Sequence, residues 1–155
     1  MPNTNWYELS HLQLGRYAEY YAKMEFASYG YDVYTSEVDD HGVDFVAKSP
    51  DDGKYYEIQV KSIRNWGYVF ITKDKMKISS TRLVFLLRFT DGNLPECYVI
   101  PATAWATPNT LFVDRNYEKP GQTSKPEWGI NLSKKNLPLL KPYREEKYFD
   151  HVRPR

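Results

Sequence analysis

Soft metal ligands are nearly missing from this chain of 155 residues, which has one cysteine and three histidines. A lone Cys97 cannot close an internal disulfide, and nothing resembles a zinc site. Cys97 lies in an alternating run, ECYVI, and reads as a packed thiol rather than a nucleophile. No apolar run reaches the ~18 residues of a membrane span. The start, Met1-Pro2-Asn3-Thr4-Asn5, lacks the basic-then-apolar pattern of a secretory signal. A Walker phosphate loop and a serine triad are missing too. Nor is there an excess of charge: the net value is +1, so any nucleic-acid binding must come from a local patch. These absences fit a soluble protein of a reducing cytoplasm.

What is present is enough for one core. The length fits a single domain, residues 1–155, and 41% of the residues are hydrophobic. Aromatics reach 16%, with 14 tyrosines, most of them expected as amphipathic core and rim residues. Residues 6–29 read as a helix stopped by Gly30, with Gly15, Ala18, Glu19, Ala22, Phe26 and Tyr29 on one side. Strand-like runs follow at 31–36, 42–48, 54–63, 68–72, 83–89 and 96–100. Pro50 and Asp52-Gly53 mark a hairpin turn between the second and third. The run LVFLLRF at 83–89 is apolar throughout, as in a strand covered on both faces. Residues 73–80 fit a short helix or a loop, and 101–105 a short helix. Residues 107–126, rich in Pro, Asn, Gly and Lys, read as loop; 128–132 adds one edge strand. The charged tail, 141–155, is either solvated or covers a neighbour. The order of elements gives an α+β domain with a central sheet.

The chemistry concentrates in Tyr56-Glu57-Ile58-Gln59-Val60-Lys61-Ser62. Strand side chains alternate, so Glu57, Gln59 and Lys61 share one face, and Tyr56, Ile58 and Val60 the other. Asp44 lies upstream in Gly42-Val43-Asp44-Phe45-Val46-Ala47, read here as a mid-strand charge, with a hairpin cap as the plainer reading. Phosphodiester hydrolysis needs a divalent cation, oxygen ligands for it and a cation or base beside the attacking water. Asp44 offers a carboxylate, Gln59 an amide oxygen and Val60 its backbone carbonyl. Lys61 projects from the face of Gln59, where it can orient or deprotonate water or offset phosphate charge. Glu19 can reach a cation from the helix, or can simply pair with Arg16 or Lys23 on the helix surface. Glu57, about 7 Å along the strand from Gln59, is a secondary candidate.

This set of residues resembles the PD-(D/E)XK nuclease superfamily of restriction endonucleases, Holliday-junction resolvases and some homing endonucleases. Gly15-Arg16-Tyr17-Ala18-Glu19 looks like its acidic first helix, Gly42-Val43-Asp44-Phe45 like the strand of its metal-binding aspartate, and Gln59-Val60-Lys61 stands at its (D/E)-X-K. The Q-X-K form is similar to that of Mrr-type restriction enzymes and some intron-encoded homing endonucleases, and it removes one negative charge from the site. The resemblance covers residues 12–105, leaving 106–155 as an extension. It implies a restriction endonuclease-like αβββαβ core with a mixed central sheet, and Mg²⁺-dependent (or Mn²⁺-dependent) cleavage of DNA by a homodimer or larger assembly. Asp44, Gln59, Val60 and Glu19 would be the metal ligands. Asp44, Gln59, Lys61 and Glu19 would be the catalytic set.

Candidate nucleic-acid contacts are Arg64 and Trp66, just past Lys61, and the run Lys73, Lys75, Lys77, with Arg82 beyond it. The plainer readings are a solvated charged face for the lysines and packing on the sheet edge for Trp66. His41 reads as an exposed loop histidine, and His11 and His151 as structural or solvated. Two other functions fit the sequence: the same fold with chemistry lost and nucleic-acid or protein contact kept, and an aromatic-rich β protein that binds carbohydrate or protein. The long N-terminal helix argues against the second.

Overall fold

The computed structural model describes residues 1–37 and 41–150. Asp39, Asp40 and His151 lie outside the described residues. Its main helix, α1, runs His11–Ser28. The Ser10 side chain accepts from the Gln13 N–H at 3.2 Å, and the Gln13 side chain accepts from the Ser10 N–H at 2.9 Å. This reciprocal cap satisfies two donors that a helix start leaves open. It also explains why the helix begins later than expected: Trp6–Glu8 forms a separate 3₁₀ turn. Leu14, Ala18, Ala22 and Phe26 form the buried stripe, and the small alanines let the helix lie close on the sheet.

Eight strands follow among the described residues: β1 (Asp32–Thr35), β2 (Phe45–Lys48), β3 (Tyr55–Arg64), β4 (Gly67–Thr72), β5 (Arg82–Phe89), β6 (Glu96–Pro101), β7 (Phe112–Arg115) and β8 (Glu127–Leu132). The central sheet has the order β1-β2-β3-β5-β6 and is mixed, because β3 and β5 pair in parallel while the other neighbours are antiparallel. The α+β class with a mixed central sheet is therefore as expected. A parallel pair needs a crossover. Here it runs through β4 and the segment 73–81, with no helix in it.

β4 leaves the central sheet and joins a second one, β4-β8-β7. Two expectations change. Residues 107–126 contain β7, and β8 lies between two strands rather than at an edge. The reason is tertiary: Leu111 and Phe112 are buried, which the surrounding Pro and Asn conceal.

β5 explains the rest. Its Leu83, Phe85, Leu87 and Phe89 pack towards α1, while Val84 and Leu86 pack towards the second sheet with Ile63, Ile71, Ile130 and Leu132. A strand covered on both faces has no polar side to show.

The tail folds back. α2 (Leu137–Leu140) and a 3₁₀ turn lead to α3 (Glu145–Phe149). Phe149 is buried, stacked on Tyr29 at 4.1 Å and edge-on to Phe26 at 5.1 Å. Beside it, Glu145 approaches Glu25 of α1 and the buried Cys97 of β6, with their oxygen and sulfur atoms within 4.8 Å of one another.

Burial, then a hydrogen bond donated to Glu25 and the charge of Glu25, push the Glu145 carboxyl up to about 8, with Arg144 opposing. Burial also holds the Cys97 thiol protonated. A carboxyl raised in the folded state binds a proton more tightly there than in the unfolded chain. The stability it contributes is full below the ordinary carboxylate range and is lost as pH rises through about 8. Glu145→Gln keeps the shape and a donor for Glu25. We expect it to leave the urea midpoint nearly unchanged at pH 5 and to raise it at pH 8.5. Parallel pH profiles for the two proteins would contradict the shared proton.

Candidate active site

The site begins with a buried arginine. Arg82, at the start of β5, donates to the carbonyls of Lys75 (2.6 Å), Gly42 (3.0 Å) and His41 (3.3 Å). It thereby ties the turn ahead of β2 to the segment behind β4. Gly42 has φ 72, and a Cβ there would lie 2.9 Å from the Lys75 oxygen. The position needs glycine both for its backbone and for the close approach of the neighbouring segment. Arg82 is 8% exposed, so it is a clamp and not the phosphate contact considered from sequence.

The Gly42 turn delivers Asp44 one residue before β2 rather than in mid-strand. Its N–H donates to the Ile58 carbonyl at 2.8 Å, and its carboxylate accepts from the Val60 N–H at 2.7 Å. Phe45 pairs with Ile58, so Asp44 stands one step further along, opposite Gln59. Gln59 is 8% exposed, and its Oε1 is buried without a hydrogen-bond partner. Buried carbonyl oxygens are rarely left so. Lys61, half-buried, follows on the same face as Gln59 and Ile63. Burial lowers its ammonium pKa, the Asp44 carboxylate opposes that, and Lys75 adds to it.

Glu19 approaches from the other side of β3. With Asp44, Val60, His11, Leu12, Gly15 and Arg16 it lines a cleft of about 250 Å³. Gln59 and Lys61 are not in that lining; Asp44 is shared, lining the cleft and acting on the Lys61 ammonium. Glu19 also makes both helix ion pairs, with Arg16 at 3.6 Å and Lys23 at 3.4 Å. Glu57 is exposed, and its charge acts on Arg82.

His11 and Arg16 at the cleft were missed as site residues. The signal was present: His11, Gly15 and Glu19 recur every four residues and so share one helix face. His41 is exposed and lends its carbonyl to Arg82.

The expected nucleic-acid contacts divide. Arg64 donates to the carbonyls of Trp6, at 3.1 Å, and Leu9, and lies over the Tyr7 ring, so it holds the N-terminal turn. Trp66 packs on the second core with the Arg88 guanidinium 3.9 Å above its ring, which is the packing reading. Lys73 is held by Asp114, by Asn116 at 2.6 Å and by the Trp128 ring at 4.0 Å. Lys75 and Lys77 are exposed, and Lys75 acts electrostatically on Lys61.

No protein-family model matches the chain, and no curated protein matches it. Solved structures do. The Holliday junction resolvase Hjc of the archaeal hyperthermophile Archaeoglobus fulgidus is 12% identical, with a TM-score of 0.55, over 90% of this chain and 98% of that one. A bacterial homing endonuclease is 18% identical, with a TM-score of 0.52, over 91% and 92% of the two chains. The chain has the restriction endonuclease-like nuclease fold.

The clamp can be tested through stability. Arg82→Met keeps the apolar stem and strands three carbonyls, so it should cost about 3 kcal/mol in urea unfolding. Gly42→Ala should cost about 2 kcal/mol from φ strain and crowding together. Changes within about 0.5 kcal/mol would show that the turn is held by something else.

Proposed function

We propose that the chain is a divalent-metal-dependent endonuclease that hydrolyses phosphodiester bonds in DNA. The observation that carries this reading is the buried, unpartnered Oε1 of Gln59 one ladder step from the Asp44 carboxylate. A hard cation suits that donor set. Asp44 would supply charge, Gln59 and the Val60 carbonyl neutral oxygens, and Glu19 a carboxylate, direct or through water. Mg²⁺ fits best, with Mn²⁺ as substitute; bound there, it would neutralise phosphate charge and polarise a water.

The chain's own groups do the rest. Asp44 is fixed at two atoms, its N–H on Ile58 and its carboxylate on Val60, so its carboxylate is oriented before any ligand arrives. Lys61, rigid on β3 and set against Asp44, offsets negative charge on the phosphate or takes the proton of the attacking water. Lys75 and Lys77 sit exposed behind β4 to meet flanking phosphates. Cutting both strands of a duplex needs two such sites, and a homodimer supplies them. No described helix is long and apolar enough to cross a membrane.

The second reading, a nuclease fold that binds DNA without cutting, is favoured by Gln59 itself, which takes a charge from the site. Cleavage assays on plasmid, single-stranded and branched DNA in Mg²⁺ and Mn²⁺ separate the two. We expect Asp44→Asn and Lys61→Ala each to slow cleavage by about 100-fold or more, with the fold retained. Gln59→Glu should keep activity and lower the metal concentration needed for half-maximal rate. DNA retained but never cut, in either metal, would establish the binding module instead.

A further inference from the structure

The second sheet has one face on the core and one uncovered by the described residues. Cross-strand pairing puts Phe70 and Val113 beside Gly129, and Arg115 beside Glu127, with Tyr68 on the same side of β4 as Phe70. The opposite face, with Ile71, Phe112, Ile130 and Leu132, is buried. The open face is organised. A Cβ at Gly129 would clash with the Tyr68 hydroxyl and ring, so the Tyr68 ring lies across the middle strand in the space that glycine leaves. Its hydroxyl donates to Glu127, as does that of Tyr117 at 2.8 Å. The Arg115 guanidinium sits 4.6 Å over the Tyr68 ring, and Phe70 stacks alongside at 6.2 Å and 24°.

The charges on this face are lopsided. Glu127 is 4% exposed, with both oxygens engaged by phenols, whereas Arg115 is exposed. Phe70 is 47% exposed, an open ring beside Tyr68. Next to Arg115, a hollow of about 240 Å³ is lined by Arg115, Asn116, Tyr117 and Gln122, with no carboxylate among them. A flat ring open to solvent, an exposed guanidinium held over the neighbouring Tyr68 ring and a polar hollow with no carboxylate in its lining complement a partner that joins flat apolar faces to phosphates.

We infer that this outer face is a stacking platform for unpaired nucleotides of the DNA substrate, with a base on Phe70 and the adjoining phosphate on Arg115. Duplex DNA keeps its base faces inside its own stack, so only single-stranded or branch-point nucleotides can use Phe70. The inference rests on the nuclease reading and deepens it, because it names a substrate with an unpaired segment. The second sheet would then hold the loose strand while Asp44 and Lys61 face the scissile phosphate.

The test uses the full chain carrying Lys61→Ala, so that binding is read without cleavage. Fluorescence anisotropy with a labelled oligothymidylate and with a duplex of the same length gives the two affinities. Phe70→Ala and Arg115→Ala should each weaken oligothymidylate binding about tenfold and leave duplex binding unchanged. Phe70→Leu, which keeps apolar area without a ring, should behave like Phe70→Ala, and an unaltered unfolding midpoint confirms that the fold is intact. Duplex binding without oligothymidylate binding, or oligothymidylate binding indifferent to all three changes, overturns the platform and leaves the nuclease reading standing. A wild-type chain that neither binds nor cuts any DNA overturns the nuclease reading, and the platform with it. If Phe70→Ala instead halves the mass in solution without changing oligothymidylate affinity, the face joins two copies of the chain and the platform is overturned.

Discussion

One buried guanidinium sets the geometry on which the site depends. Arg82 donates to three carbonyls that come from two segments far apart in the chain, the turn at 41–42 and the residue Lys75 behind β4. A buried arginine costs free energy unless its donors are used, and here burial lowers its pKa while Glu57 and Asp44 offset that. Carbonyl dipoles take up the donors of its Nη2. The result is a fixed origin for β2. From that origin the chain has room for one residue, Val43, before Asp44 meets β3 through its N–H and its carboxylate. The position of the acidic group is thus decided by a cation that never touches the cleft.

The central sheet turns this local arrangement into a site. β3 carries Gln59 and Lys61 on the face of Ile63 and Val60 on the face of the helix. Asp44, just outside the ladder, is free of strict alternation and so serves both sides. It lines the cleft with Glu19 and also acts on Lys61. A residue inside β2 would have been committed to one face. The break in the strand at Gly42–Asp44 is therefore the feature that joins a helix carboxylate on one side of the sheet to a lysine on the other.

Much of this was readable in the sequence, and the unreadable parts share a cause. The alternation of 56–62, the apolar run of β5, the Gly30 stop and the turn at Pro50–Gly53 are short-range signals, and the structure repeats them. Asp44 in register with Gln59 was within reach for the same reason, since a hairpin fixes its own pairing. The exact start of β2 was not, because it depends on Lys75 and Arg82. The hold of Arg64 on the N-terminal turn was not legible because its partners, Trp6 and Leu9, are 58 and 55 residues away. β7 escaped notice because four residues among Pro and Asn carry little pattern, and only pairing with β8 makes them a strand.

Glutamine at position 59 follows from the same geometry. The side chain is nearly sealed from water, and its oxygen has no protein donor. An ionised carboxylate in that place would bear the full desolvation penalty whenever no cation was bound, and it would stand beside the Asp44 charge. An amide oxygen avoids most of that cost while keeping a lone pair aimed at the same point. Fewer charges mean a weaker hold on a cation, so under the proposed reading the burden would fall on Asp44 and Glu19. Glu19 is itself shared with Arg16 and Lys23, which a cation would have to displace. Arg16 lines the cleft with an exposed side chain, so a displaced guanidinium would already stand where a phosphate enters. In this arrangement cation and substrate would reinforce one another: a bound cation would compete with Arg16 for Glu19, and a phosphate would give Arg16 a new partner. Loss of the charge at 59 is thereby compatible with a site that assembles fully only when both are present.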